Sequence, residues 1–316
     1  MKLRSEGFAP ASIGNLGVGF DVLGLAIEGP GDTVRCEITD GSGCEIESIV
    51  GDAVAGDVSC LPVDASKNTA SIAAEHLWAE HGNGRGIRLS LQKGTPLASG
   101  MGSSAASAVA AVMAVNALID SPLPKHALLP YALAGETVAS GAVHADNVAP
   151  SLFGGLILCP PKSLPSVRQL PVPEGLSSVL VHPQLHVETA AARAILAAHV
   201  ALRDAIEQAA NLATLIDAAH TNDALAFATS AVDRIVEPQR KQLVKGFDSV
   251  QQAAMASGAL SCSLSGSGPS VFALCRANDA NVVAEAMVAA FAASNVSARA
   301  WRSSLQSAGA TAVVLP

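Results

Sequence analysis

The stretch Pro96-Leu97-Ala98-Ser99-Gly100-Met101-Gly102-Ser103-Ser104-Ala105-Ala106 is the part of this chain whose reading decides its fold. Residues 86–92 before it alternate as a strand, and the Ala-rich block 105–119 after it predicts a helix. Two glycines let the backbone take φ > 0 and come close to a ligand, two hydroxyls follow, and the helix begins at once. Such a loop aims free N–H groups and the positive helix end at one spot, where phosphate is the natural occupant. The plain alternative is a helix start with Ser103 as N-cap and the glycines in a tight turn. Composition alone leaves the two level.

Two other phosphate-loop patterns compete for the same residues. No Gly-Lys dipeptide occurs, so the G-x-x-x-x-G-K-[ST] loop is excluded. Gly100, Gly102 and Ala105 satisfy the dinucleotide fingerprint G-x-G-x-x-A, with Asp120 near the offset of its ribose-binding acid. That motif requires a second parallel strand leading to the acid. Here Asp120 ends a helix and Ser-Pro-Leu-Pro follows it.

Outward from the loop, strands are expected at 2–9, 32–38 and 43–47 around the Gly-rich segment 14–24. Helices are expected at 68–81 and 125–140. Five prolines, Pro160, Pro161, Pro165, Pro171 and Pro173, mark the best domain boundary. Beyond them come a strand at 179–182, a long helical tract from 189 to about 230 and a helix at 247–257. The remainder predicts strands at 260–264, 270–275 and 297–302, with a helix at 280–293 between the last two. Strands and helices segregate in parts and mix in others, so the fold class is α+β, with two domains, 1–160 and 161–316.

Composition narrows the function. Lys and Arg number 19 against 27 Asp and Glu, for a net charge of -8, and aromatics are only 3%. Nucleic-acid binders want a basic face and stacking rings, so that partner is excluded. At 50% hydrophobic the chain has the material for a real core and is not disordered. The apolar run 105–119, broken by Ser107 and Asn116, falls short of the roughly 20 residues of a membrane span. The segment MKLRSEGFAP carries Lys2, Arg4 and Glu6 and no apolar stretch, so no secretory signal and no membrane partner are expected. Six scattered cysteines without a C-x-x-C pair point to reduced thiols and a cytoplasmic location. His182 and His186 flank Pro183 at the end of a predicted strand, and a metal site there is not expected.

Several segments then carry a resemblance. Residues 96–106 resemble the second signature of the GHMP kinases, P-x-x-x-G-L-G-S-S-A-A, with Met101 in place of Leu. Both residues are unbranched at Cβ and similar in volume, so no functional consequence is expected. Ala9-Pro-Ala-Ser-Ile-Gly-Asn-Leu-Gly-Val-Gly-Phe-Asp-Val-Leu-Gly24 is similar to the N-terminal motif of the homoserine kinases within that family. Leu264-Ser-Gly-Ser-Gly-Pro-Ser270 resembles the C-terminal glycine motif of the superfamily. Ser140-Gly-Ala-Val-His-Ala-Asp-Asn-Val-Ala-Pro150 and Val236-Glu-Pro-Gln-Arg240 also look like homoserine kinase segments.

The resemblance implies an α+β GHMP architecture, with a ribosomal S5 domain 2-like N-terminal domain that binds ATP and a ferredoxin-like C-terminal domain. It implies transfer of the ATP γ-phosphoryl to the side-chain hydroxyl of L-homoserine, on the route to threonine. The ATP phosphates fall to Pro96 through Ala106, and Asn68 lies near the adenine, where its plain reading is a helix N-cap. Mg2+ falls to Ser104 and Glu136, hard oxygen ligands that suit the ion. L-homoserine falls to Asn15, Asp21, His144, Arg193 and Arg240. Asp21 faces the ammonium, Asn15 lies near the hydroxyl, and the two arginines clamp the carboxylate. The catalytic group is Ser104, Asp146 and Asn147, with no proton abstraction assigned to Asp146. Gly266, Gly268 and Pro269, otherwise a plain hairpin turn, are implied to pack on the nucleotide loop. The partner is a small molecule, and a homodimer is compatible with the resemblance.

Overall fold

A computed structural model describes residues 3–140 and 144–316; Lys2 of the first predicted strand and positions 141–143 of the Ser140–Pro150 motif lie outside them. Strand β1 (Arg4–Gly14) begins with alternating exposed and buried side chains and is wholly buried from Ala9 onward. It pairs antiparallel with β2 (Leu23–Thr39), which pairs antiparallel with β4 (Gly86–Lys93). Strand β3 (Cys44–Gly51) lies parallel on the far side of β4. Two short strands, β5 (Leu156–Leu158) and β6 (Arg168–Leu170), extend the sheet from β2. Strand β11 (Thr311–Leu315) covers the other edge of β1.

Four helices build the core on this sheet: α1 (Thr69–His81), α2 (Ser103–Leu118), α3 (Lys125–Ser140) and α4 (Ala145–Phe153). Helix α2 is apolar on every side, and its residues from Ala105 to Asn116 are all buried. A helix of that kind belongs inside a protein. Its alanines let β1 and α1 approach closely. After α2 the chain turns into α3, where a dinucleotide fold would place a parallel strand, and Asp120 is exposed.

The later residues form a second sheet from β7 (Leu176–Pro183), β8 (Ala259–Leu264), β9 (Val271–Arg276) and β10 (Ala298–Ser304). Its order is β10-β7-β9-β8 and every pairing is antiparallel. With α9 (Phe247–Ala256) before β8 and α10 (Ala280–Ala293) after β9, this is the βαββαβ path of a ferredoxin-like fold. Phe247, Val250, Met287 and Phe291 bury against Val179 and Val181 of β7.

Between β7 and α9 the tract predicted as one helix from 189 to about 230 is three helices, and a short turn of helix follows it. These are α5 (Thr189–Ala194), α6 (Leu202–Thr221), α7 (Ala224–Ser230) and α8 (Glu237–Arg240). The break after α6 is made by Asn222 in the left-handed region, φ 59°, and by Asp223, whose carboxylate caps α7 by accepting from Ala226 N at 2.9 Å. Asn tolerates that conformation better than most residues. Alanine-rich sequence on both sides hides the stop.

A shared core joins the two sheets, with Leu23, Leu25, Leu180, Phe227, Phe272 and Leu274 in contact around Met101. The sulfur-bearing side chain of Met101 is fully buried and fills a gap between domains, a task that its flexibility suits. The proposed divide after residue 160 falls just past β5, and β6 and β11 from beyond it pair into the first sheet. Truncation of Phe272 to Ala is expected to destabilise the protein by about 3–5 kcal/mol through the cavity left at this junction. A lower denaturant midpoint at unchanged slope would register it.

Candidate active site

The loop at 94–102 is held by its own atoms before it meets any ligand. Ser99 Oγ donates to Pro96 O at 2.7 Å and accepts from Met101 N at 3.3 Å. Gly100 and Gly102 both take positive φ, 72° and 68°. At Gly100 a Cβ would collide with the Ser265 carbonyl, and at Gly102 it would lie 2.6 Å from Ser12 Oγ. Gly102, not Ser103, is the N-cap of α2, and the Ser103 hydroxyl donates instead to Thr95 O at 3.0 Å. The first amides of α2 have no intrahelical acceptor, and Ser103 and Ser104 of that first turn line a cavity.

The Leu264–Ser270 turn closes on this loop. Ser265 Oγ donates to Gly100 O at 2.7 Å, and Ser270 N donates to Ser99 O at 3.1 Å. Gly266 N donates to Gly14 O at 3.1 Å, while Gly266 O accepts from Asn15 Nδ2 and Arg240 Nη1, each at 3.1 Å. One turn therefore ties together the phosphate-type loop, the β1–β2 loop and α8.

A cavity of about 480 Å3 lies at this junction. Of the residues singled out in sequence, it is lined by Asn15, Asp21, Asn68, Leu97, Ala98, Ser99, Gly100, Gly102, Ser103, Ser104, Glu136, His144, Asp146, Asn147, Arg193 and Arg240. Pro96, Met101, Ala105 and Ala106 are outside the lining; the last three are fully buried. Asn68 caps α1 through Ala70 N at 3.0 Å and braces Pro62 O at 2.9 Å while one face meets the cavity.

The charged groups of the lining are held in pairs and by backbone carbonyls. Asp21 and Arg193 form a bidentate pair, with Arg193 Nη1 to Oδ2 at 3.0 Å and Nη2 to Oδ1 at 2.8 Å. Asp21 is itself held in the left-handed region, φ 58°, with its amide donating to Asn15 Oδ1 at 3.0 Å. Arg240 is 2% exposed and anchored by Nε to Ala192 O at 2.9 Å. Both guanidinium groups lie over the ring of Phe20, 5.4 Å and 5.1 Å from its centre. An aromatic face attracts cations and holds these two side by side despite their like charge. Burial and the Arg193 charge push the Arg240 pKa down.

In the same lining His144 Nδ1 lies 3.2 Å from Glu136 Oε1, and that hydrogen bond raises the imidazole pKa. Asn147 Oδ1 accepts from Ser12 Oγ at 3.0 Å. Asp146 is 3% exposed, and Oδ1 has no hydrogen-bond partner among the described residues. Burial pushes its pKa up to about 7; the Asp21 charge adds to the rise, and His144 opposes it. A carboxyl group tuned near neutrality is suited to exchanging protons at physiological pH.

Sequence patterns missed several members of the site. Phe20 sits inside the quoted N-terminal motif but carries no polar atom to mark it. Lys93 and Ser107 also line the cavity, although β4 and the middle of an apolar helix gave no signal for them. Elsewhere His182 donates to or accepts from Ser270 Oγ at 3.1 Å, and burial lowers its pKa to about 4. No group of three His, Cys, Asp or Glu that would hold a metal occurs among the described residues. No helix among them is long and apolar enough to cross a membrane.

Comparison with known proteins agrees with this geometry. The GHMP kinases N terminal domain matches residues 68–155, and the GHMP kinases C terminal domain matches residues 198–293. The chain belongs to the GHMP kinases, a family of ATP-using phosphotransferases. Its similar relatives are homoserine kinases. That of Xanthomonas campestris pv. campestris (strain B100) is 42% identical over 97% of this chain and 93% of its own length. That of Chlorobium phaeovibrioides (strain DSM 265 / 1930) is 40% identical over 96% and 98%. The crystal structure of homoserine kinase from Cytophaga hutchinsonii ATCC 33406 superposes with a TM-score of 0.94 at 42% identity, covering 99% of this chain and 98% of that one. The L. major mevalonate kinase in complex with R-mevalonate shares the fold, with a TM-score of 0.71 at 16% identity and 96% of each chain covered.

The raised pKa of Asp146 has a consequence for stability. Its folded form binds a proton more tightly than the unfolded chain, so stability is fully present below the unfolded value of 3.8 and is lost as pH rises through about 7. Asp146→Asn removes this loss. The variant is expected to gain roughly 1–3 kcal/mol over the parent at pH 8 and much less at pH 5, read as the difference in Tm between the two proteins at each pH.

Proposed function

We propose that the chain is a homoserine kinase, moving the γ-phosphoryl of ATP to the side-chain hydroxyl of L-homoserine. The carrying observation is one cavity lined both by the phosphate-type loop and by Asp21, Arg193 and Arg240. A zwitterionic amino acid needs an anion for its ammonium and a planar cation for its carboxylate, and these residues supply both. The identities near 40% to homoserine kinases support the same substrate.

Before substrate arrives, Asp21 and Arg193 satisfy each other. A zwitterion would exchange with that pair, giving its ammonium to Asp21 and its carboxylate to Arg193 and Arg240. Asn15, fixed by Gly266 O and by the Asp21 amide, would orient the hydroxyl. Asp146 lies in the same lining and holds a carboxyl poised to take that hydroxyl's proton, with Asn147 beside it. The amides of α2 and the glycine loop would receive the phosphates.

Phosphoryl transfer depends on positioning and on neutralising charge, and Mg2+ supplies the latter when bound. Ser104 and Glu136 are oxygen donors on one lining and fit such an ion. Phosphate oxygens and water would complete its coordination, because the described residues hold no acidic cluster sufficient alone.

A panel assay tests the assignment: ADP release should depend on L-homoserine and Mg2+. Turnover with mevalonate or galactose and none with homoserine would overturn it. Arg193→Ala should raise the homoserine KM by about tenfold or more while the ATP KM moves less than about twofold.

A further inference from the structure

Beneath the phosphate-type loop lies a buried ion pair that the roles above do not use. Lys93, the last residue of β4, and Asp32 of β2 are each 1% exposed. The Lys93 ammonium bonds to Asp32 Oδ2, to Ser107 Oγ at 2.7 Å and to the Ser103 carbonyl at 2.8 Å. Asp32 Oδ2 also accepts from Ser107 Oγ at 2.7 Å, and its Oδ1 accepts from the amides of Gly94 and Thr95 at 3.0 and 3.1 Å.

Every bond of this cluster ends on a segment that shapes the loop. Asp32 fixes the start of the loop through two amides, and Lys93 holds the first turn of α2 through the Ser103 carbonyl. Ser103 Oγ closes the circuit on Thr95 O. Buried ion pairs seldom add net stability over apolar side chains of similar size, because desolvation offsets their attraction. A pair kept at the base of a ligand cavity, whose lining includes both Lys93 and Ser107, therefore points to a task other than stability.

We propose that Lys93 is a positioning residue for the nucleotide. Paired with Asp32, its ammonium sets the pitch of the first turn of α2 so that the free amides and the Ser104 hydroxyl converge on the phosphates. This rests on the assignment of ATP to the loop. None of the cluster's hydrogen bonds reaches Asn15, Asp21, Arg193 or Arg240, so its influence falls on the nucleotide and not on the acceptor.

The test uses three variants of the full chain, each with steady-state kinetics, MgADP calorimetry and a melting curve. Lys93→Met should raise the ATP KM by about tenfold or more and leave the homoserine KM within about twofold. That variant leaves Asp32 charged and alone, so its folding is at risk. The double variant Asp32→Asn with Lys93→Met removes both charges and should recover the melting temperature while the ATP KM stays raised. Ser107→Ala, which keeps the pair and loses only the bridging hydroxyl, should raise the ATP KM about two- to fivefold. A double variant or Ser107→Ala protein with the parent's ATP KM and MgADP affinity would overturn the inference. So would equal rises in both KM values. A parent that consumes no ATP with homoserine would sink the functional assignment instead, and MgADP affinity across the same variants would still decide the role of Lys93.

Discussion

Two backbone turns in this protein pack directly against each other. The loop at Gly100 lies against Ser265 and Gly268 so closely that even a methyl group has no room, and the contact is locked by hydrogen bonds from Ser265 and Ser270. The phosphate-type loop comes from the first sheet and the glycine turn from the second, so this contact sets how the two halves of the cavity face each other. Gly266 carries the constraint outward, because its carbonyl holds Asn15 on one side and Arg240 on the other. Asn15 and Arg240 are thus placed relative to the glycine loop by a backbone carbonyl, which does not change rotamer.

Much of this was legible in the chain itself, for reasons that differ by element. Helix α2 declared itself through its alanines, and the second sheet through short strands, so the α+β class was readable from pattern, while the ferredoxin-like half came only with the family resemblance. The break in the helical tract from 189 onward was not readable, since the stop at Asn222 relies on a left-handed backbone that its neighbours do not advertise. Strand β11 pairs with β1 from the other end of the numbering, and no local pattern records that. The site divided the same way. Glycines, acids and arginines within motifs were found, whereas Phe20 acts through its ring face and Lys93 through a carbonyl. The absence of a Gly-Lys dipeptide excluded the P-loop, yet the end of β4 brings a lysine beneath this loop.

Charge is handled by local pairing. Asp32 is matched by Lys93, Asp21 by Arg193 and Glu136 by His144, so an acidic protein keeps its cavity close to neutral. The exceptions are Arg240, which is held by carbonyls, and Asp146, a buried carboxyl whose pKa has risen to about 7. Burial outweighs the pull of His144, so the neighbours of Asp146 do not hold it ionised.

The pairing of β11 with β1 also bears on how the chain comes to be folded. Arg4 lies opposite Leu315, so β1 receives its outer neighbour only after residues 311–315 have emerged from the ribosome. Until then one rim of β1 is an open row of amides and carbonyls, the kind of edge that invites pairing with another chain. Contacts this far apart in sequence form slowly. During synthesis the first domain is therefore an unfinished object, and the whole second domain is made while it waits.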